Sequence, residues 1–305
     1  MFSTPLNFLF LMIMVMVSVA FFTLIERKMI GYSQSRKGPN KVLMMGIMQP
    51  IADAMKLISK EMNMNHNSNF IMYMMAPALN ITCSLFMWVI FPFGYTFTFM
   101  KMAVLMMLSC MAFNVVTIMM MSWASNSNYA FIGMIRTISQ LISYEINLIM
   151  ILIITVIITE QLNFINMHKI QMYMYTLIML FPLVLIWMIT VLAETNRTPF
   201  DFSEGESELI SGFNIEYSST SFMMLFLSEY CSILIMSLLT ICMFTNLTPT
   251  KPSFYTAYLI TCFIFVWTRT TLPRFRYDKL MKFNWTQILP MTTLMLFISF
   301  PMKIL

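Results

Sequence analysis

Charge is what this 305-residue chain has least of. Asp, Glu, Lys and Arg together make up 10% of it, against about 25% in a soluble domain. Hydrophobic residues make up 59%. So little polar material cannot cover a water-exposed surface, and so much apolar material excludes a disordered chain. Lipid is the expected solvent. Glycine is also scarce, at 7 residues. The only two histidines, His66 and His168, fall in expected loops, so no pair of haem ligands lies within a span. There is no G-x-G-x-x-G and no Walker loop, which leaves nothing to bind a nucleotide. Cys83, Cys110, Cys231, Cys242 and Cys262 form no C-x-x-C pair. They read as small buried hydrophobes, not as a disulfide framework or a metal site.

What the chain does have is long apolar runs. A helical span needs about 20 such residues. Eight runs qualify or nearly so: residues 6–25, 70–93, 102–123, 141–159, 172–193, 221–244, 255–268 and 285–302. The seventh is short and is expected to reach back toward Pro252. The first has no basic segment before it and is too long for a signal peptide, so it reads as a retained span. The expected fold class is an all-α polytopic membrane protein of about eight transmembrane helices, one integral membrane domain over residues 1–305. Pro77, Pro182 and Pro290 lie within spans and predict kinks rather than breaks. No internal repeat is visible, which weighs against a secondary transporter.

The charges orient this bundle. Of the 18 basic residues, all but Lys101, Lys169, Lys251 and Lys303 sit in the connections 26–69, 124–140, 194–220 and 269–284. That bias assigns these four loops to the inner side of the membrane. The net charge of +5 is carried beside hydrophobic spans, which favours lipid headgroups as partners over nucleic acid. In the first long loop, Ile47, Ile51, Met55, Ile58 and Met62 recur at helical spacing, with Gln49, Asp53, Lys56 and Lys60 on other faces. This predicts an amphipathic helix lying in the interface, with Pro50 in its first turn. A plain surface helix fits the pattern equally well.

The strongest chemical signal follows the fifth span. Glu194, Asp201, Glu204, Glu206, Glu208 and Glu216 gather six of the 13 acids in one connection, against the single Arg197. Crowded carboxylates cannot all ionise at low cost, so they titrate as a coupled set with some pKa values raised. Such a set suits proton handling. A solvated acidic loop is the plainer reading, but interleaved apolar residues and turn formers make the segment look packed. The spacing misses the calcium-loop pattern. Ser203 and Glu206 also fit a capping box. Glu145 and Glu229 lie inside spans, where an ionisable residue is costly and marks function by default. Asn80, Asn114 and Asn147 are weaker signals of the same kind, since amides often join helices.

Several segments together are recognisable: Leu24-Ile25-Glu26-Arg27-Lys28, Arg36-Lys37-Gly38-Pro39-Asn40-Lys41, Leu192 through Tyr217 and Leu272 through Lys279. In order and spacing over essentially the whole chain, they resemble the subunit-one family of NADH:ubiquinone oxidoreductase, respiratory complex I, whose bacterial relative is the H subunit. The resemblance implies a subunit at the joint of the peripheral and membrane arms, in the mitochondrial inner membrane, with the loaded loops on the matrix side. It implies a passage and chamber for ubiquinone, lined or flanked by Arg27, Arg36, Asp53 and Arg274. Glu194, Asp201, Glu204, Glu206, Glu208 and Glu216 would form an acidic funnel, and Glu145 and Glu229 would carry the proton path into the membrane. Ubiquinone would be substrate, with no flavin, iron–sulfur cluster or metal held by this chain. The partners implied are the other membrane subunits of complex I and the peripheral subunits of the quinone site, docked on the inner loops. The abundant Met, 38 residues spread through every span, fits coding bias in an organellar genome. Two alternatives from other classes are an autonomous ion transporter and a purely structural anchor for the peripheral arm. The first should show repeats, and the second leaves Glu145 and Glu229 unexplained.

Overall fold

A computed structural model describes residues 3–62, 67–90, 101–171, 176–201 and 216–304. Among these residues the chain is helical, without strands. The helices are α1 (Ser3–Ser33), α2 (Gln49–Ser59), α3 (Phe70–Met87), α4 (Ala103–Ser125), α5 (Asn128–Thr159) and α6 (Phe164–Gln171). They continue as α7 (Thr176–Met179), α8 (Phe181–Glu194), α9 (Ser219–Phe244), α10 (Pro252–Thr271), α11 (Tyr277–Phe283) and α12 (Leu289–Ile304). Among the described residues all eight expected spans fall on helices, the fifth on two, α7 and α8. By length and apolarity, α1, α3, α4, α5 and α9 suffice to cross a membrane, while α8 is apolar but shorter.

The helix α9 is the hub. It packs on α1, α2, α3 and α10. Every residue from Ile233 to Phe244 is buried. The helix α5 organises the other half, against α4, α8 and α12. In lipid, burial of apolar surface drives little, so close packing and hydrogen bonds must join the helices. The amides supply those bonds. Asn80 donates to Ser228 Oγ at 2.8 Å and accepts from Thr117 at 3.2 Å, tying α3, α4 and α9. Asn147 donates to Asn284, which donates in turn to the Ser143 carbonyl at 2.8 Å. The five cysteines are free, four of them buried and Cys83 half-buried, as small apolar residues should be.

Four sequence expectations need correction. First, α1 runs on to Ser33, well past residue 25, so Glu26, Arg27 and Lys28 are helical. Second, α5 begins at Asn128, so most of the expected loop 124–140 is helix. The remaining turn is made by Asn126 with φ of 48°, a left-handed value that Asn tolerates. Third, Pro182 does not merely kink its span. The helix parts at Leu180, and Pro182 takes the first turn of α8, where its missing N–H costs nothing. Fourth, His168 falls on α6 rather than in a loop, while His66 lies outside the described residues.

Neither of the other two prolines breaks its helix. Pro77 sits inside α3, which continues through it. Before Pro290 the chain widens into a π turn at Asn284–Ile288, containing the Thr286 carbonyl that a Pro290 N–H would have bonded. The expectation that the seventh span reaches back to Pro252 also holds, with the proline in the first turn of α10.

The helix α2 has no buried residue, and Ile51, Met55 and Ile58 are exposed along one face. That is the face an interfacial helix offers to lipid.

Candidate functional site

Described segments of the inner connections meet one another in pairs. Asn69 N–H bonds the Ala124 carbonyl at 3.1 Å, and Phe275 N–H bonds the Pro199 carbonyl at 3.1 Å. Here α1 ends and folds back on itself. The Arg36 N–H bonds the Gly31 carbonyl at 2.9 Å, which lays residues 36–39 along the last turns of α1. Glycine is needed at this crossing. A Cβ on Gly31 would lie 3.0 Å from Gly38 N, and one on Gly38 would lie 3.0 Å from Lys28 Cα. Backbone atoms cannot give way as flexible side-chain ends can.

Beside this crossing opens a cleft of about 500 Å³, lined by Glu26, Arg27, Ile30, Arg36, Lys37, Gly38, Pro39, Tyr230 and Arg269. Glu26 is its buried acid. One carboxylate oxygen, Oε1, accepts from both Arg197, at 2.8 Å, and Arg269. The other, Oε2, is buried and makes no hydrogen bond, although the Tyr230 hydroxyl stands close. The Arg197 guanidinium also lies over the Tyr230 ring, 4.5 Å from its centroid, a cation–π contact. Burial works against the charge on Arg197, but Glu26, Tyr230 and Glu229 more than offset it and hold its pKa above the ordinary arginine value. Arg197 is therefore a permanent cation.

Arg27, next to Glu26 on the helix, points the other way. It pairs with Asp53 of α2, whose second oxygen accepts from Gln49 at 2.9 Å. The interfacial helix is thereby pinned to the rim of the cleft. Arg36 is steadied by its Nε–H bond to Gln34 at 2.9 Å. The cleft thus presents guanidinium and ammonium donors around a neutralised carboxylate. That arrangement suits a head bearing carbonyl or other acceptor oxygens.

The chain leaving α8 is strapped to α5. Gln140 of α5 donates to both the Ala193 and Phe200 carbonyls at 3.0 Å each. The Phe200 ring stacks on Phe275 at 5.8 Å. Asp201 is buried and faces Arg274 at 3.6 Å. Behind the strap lies a second, polar cavity of about 30 Å³, lined by Asn80, Asn114, Glu194, Asn196, Ser228, Glu229 and Ser232 among others. That is room for about two waters, with more than enough polar partners to hold them. Glu194 Oε2 and Asn196 Oδ1 are buried there without a hydrogen-bond partner.

A family model described as NADH dehydrogenase matches residues 6–300. The chain belongs to that family. A chain from Aedes aegypti named NADH-ubiquinone oxidoreductase chain 1 is 47% identical over 296 residues, 97% of this chain and 95% of that one. Proteins of the same name from Locusta migratoria and Sapajus apella are 46% and 43% identical, each over 97% of this chain and covered to 95% and 96% of their own lengths. The family's likeness thus extends over the loops as well as the helices.

The expected site residues separate into groups. Arg27 and Arg36 line the cleft, and Asp53 joins it through Arg27. Arg274 does not line it and stands instead with Asp201. Glu194 and Glu229 share the polar cavity, with Glu145 half-buried on α5 near enough for its charge to act on Glu194. Glu216 is half-buried apart from them, its backbone carbonyl accepting from the Tyr73 hydroxyl. Glu204, Glu206 and Glu208 lie outside the described residues. Sequence reasoning missed Glu26, Lys37, Arg269 and Tyr230 as site residues, and gave Arg197 no partner. The motif Glu26-Arg27-Lys28 was visible, but nothing local shows that its acid turns inward and its base outward.

Proposed function

We propose that this chain is the membrane subunit of proton-translocating NADH:ubiquinone oxidoreductase that forms the passage and chamber for ubiquinone and links its reduction to proton movement. The observation that carries this reading is the pairing of two cavities at one end of the bundle. One is ringed by Arg27, Arg36, Lys37 and Arg269, and the other holds Glu194 and Glu229.

A quinone head has two carbonyl oxygens that accept hydrogen bonds, and its isoprenoid tail needs apolar walls. Guanidinium donors would serve the first, and Ile30 and Pro39 on the cleft wall would begin the second. Reduction takes two electrons and two protons per quinone. Peripheral partner subunits would bring the electrons. This chain's residues would bind, orient and shape the charge around the head. Charge appearing at the head would bias the carboxylates behind the strap, and a carboxylate that gains or loses a proton in a dry cavity shifts its neighbours in turn. Water held between Glu194 and Glu229 would extend the path.

The site of action is the mitochondrial inner membrane, with the loaded loops on the matrix side. The other membrane subunits of complex I and the quinone-site subunits of the peripheral arm are the partners, the latter docked on the inner loops. Glu145→Gln and Glu229→Gln in the assembled complex test the proton role. Assembly should survive, and proton pumping should fall with a smaller fall in quinone reduction. Full pumping in both variants contradicts the reading. Loss of assembly alone favours an anchoring role.

A further inference from the structure

Arg197 joins residues at the walls of the two cavities. On one side its guanidinium bonds Glu26, a wall residue of the donor-lined cleft, at 2.8 Å. Beneath it lies the ring of Tyr230, which lines the same cleft. The residue before Tyr230 is Glu229, which lines the polar cavity, as does Asn196, the residue before Arg197. One short piece of α9 therefore faces both chambers, and Arg197 links the cleft wall to the piece of the strap that faces the polar cavity.

The bond it makes is open to competition. Glu26 Oε1 accepts from Arg197 and Arg269 together, while Oε2 has no donor. Arg269 is a third exposed and lines the cleft, whereas the Arg197 side chain is only 15% exposed. An acceptor oxygen arriving in the cleft would draw on Arg269 first, since it is the accessible donor. Glu26 would then lean wholly on Arg197. That change moves Arg197, and Arg197 cannot move alone. Its own strap is fixed by Gln140 to Phe200 and Ala193, and by Asp201 to Arg274.

We infer that Arg197 is a positioning residue that transmits the occupancy of the donor-lined cleft to the carboxylates of the polar cavity, through its shared hold on Glu26. It touches no reacting atom. Its role is to make the Glu194–Glu229 arrangement depend on what binds beside Glu26. A planar fork laid on a ring is required for this, and a lysine ammonium supplies the charge without the fork. The inference rests on the proposed quinone and proton reading and deepens it.

The test uses the assembled complex carrying Arg197→Lys or Arg197→Gln. Arg276→Gln serves as control, because that exposed guanidinium pairs with Asp278 at 3.0 Å outside the strap. Protons translocated per quinone reduced and the KM for quinone are measured together. The expected result is a proton yield lowered roughly twofold or more in Arg197→Gln, with KM changed by less than about twofold. Arg197→Lys should lie between that variant and the native complex, and the control should match the native. A native proton yield in both Arg197 variants overturns the inference, as does a raised KM with the yield intact, which would make Arg197 merely part of the cleft wall. If Arg197→Gln does not assemble, Arg197→Lys decides in the same terms. Failure of the underlying reading is distinguishable, since the native complex itself would then show no quinone analogue bound at the cleft.

Discussion

The Glu26 carboxylate and the Arg197 guanidinium lie 2.8 Å apart although 171 residues separate them in the chain. Both are largely buried, with side chains 5% and 15% exposed. Their pairing closes α1 against the strap after α8, and Arg269 closes α10 on the same oxygen. Three elements distant in sequence thus depend on one carboxylate.

Removing that carboxylate should be costly. Glu26→Ala leaves two guanidiniums facing each other without their shared acceptor. Breaking a buried pair from one side typically costs about 3–5 kcal/mol. The expected outcome is a marked fall in the temperature at which the purified complex loses this subunit, followed by blue-native electrophoresis after graded heating. An unchanged temperature would show that the cluster contributes little to holding the bundle together.

Gly38→Ala should reshape the cleft without removing any of its charges. The added methyl meets Lys28 Cα at 3.0 Å, so residues 36–39 must shift outward. Overpacking of this kind costs about 1–3 kcal/mol. Arg36 and Lys37 move with the backbone, so the KM for quinone should rise while the bound complex still assembles. Steady-state kinetics on membranes carrying the variant would check this.

The amide network predicts coupling between α5 and the π turn. Asn147→Ala and Asn284→Ala each leave a buried polar partner unsatisfied, at a cost of about 1–3 kcal/mol apiece. Because both lose the same bond, the double variant should cost less than the two single costs added. A double-mutant cycle on thermal stability measures the difference, and strict additivity would contradict the network.

Alkaline pH should act on the Tyr73–Tyr217 stack, whose rings lie 4.3 Å apart. Tyr217 donates to the Met121 carbonyl at 2.9 Å. Burial, with Tyr73 adding to it, raises the Tyr217 phenol above its ordinary value of 10.0. A group whose folded pKa is raised keeps its full contribution below the unfolded value and loses it as pH climbs toward the folded one. Stability should therefore be flat through neutral pH on this account and fall above about pH 10. Tyr217→Phe should flatten that alkaline fall, read by thermal unfolding as a function of pH. Arg197, held charged throughout, adds no slope in this window.

Much of the fold was legible because lipid imposes a simple rule on sequence. Apolar runs marked every span, and Pro252 marked the start of α10. Helix ends were less legible. Nothing local stops α1 at residue 25, since Glu26, Arg27 and Lys28 continue a helix well once partners for them exist. Asn128 likewise extends α5 inward because Gln140 finds its partners on the strap. For the site, residue type was informative and partnership was not. Arg27, Arg36, Glu194 and Glu229 stood out as charges in unusual places. That Glu26 would gather Arg197 and Arg269, or that Arg274 would stand with Asp201 away from the cleft, depends on contacts between remote segments. No spacing in one sequence encodes those.

Admission of ubiquinone to the cleft beside Gly31 and Gly38 is the proposal on which the others depend. The most direct measurement is photo-crosslinking of the native complex with a long-tailed quinone analogue, followed by mapping of the labelled peptides. Label is expected on the end of α1, on residues 36–39 and on the last turns of α10, with competition by unmodified ubiquinone. Competable label confined to other parts of this chain, or to other subunits alone, would contradict it.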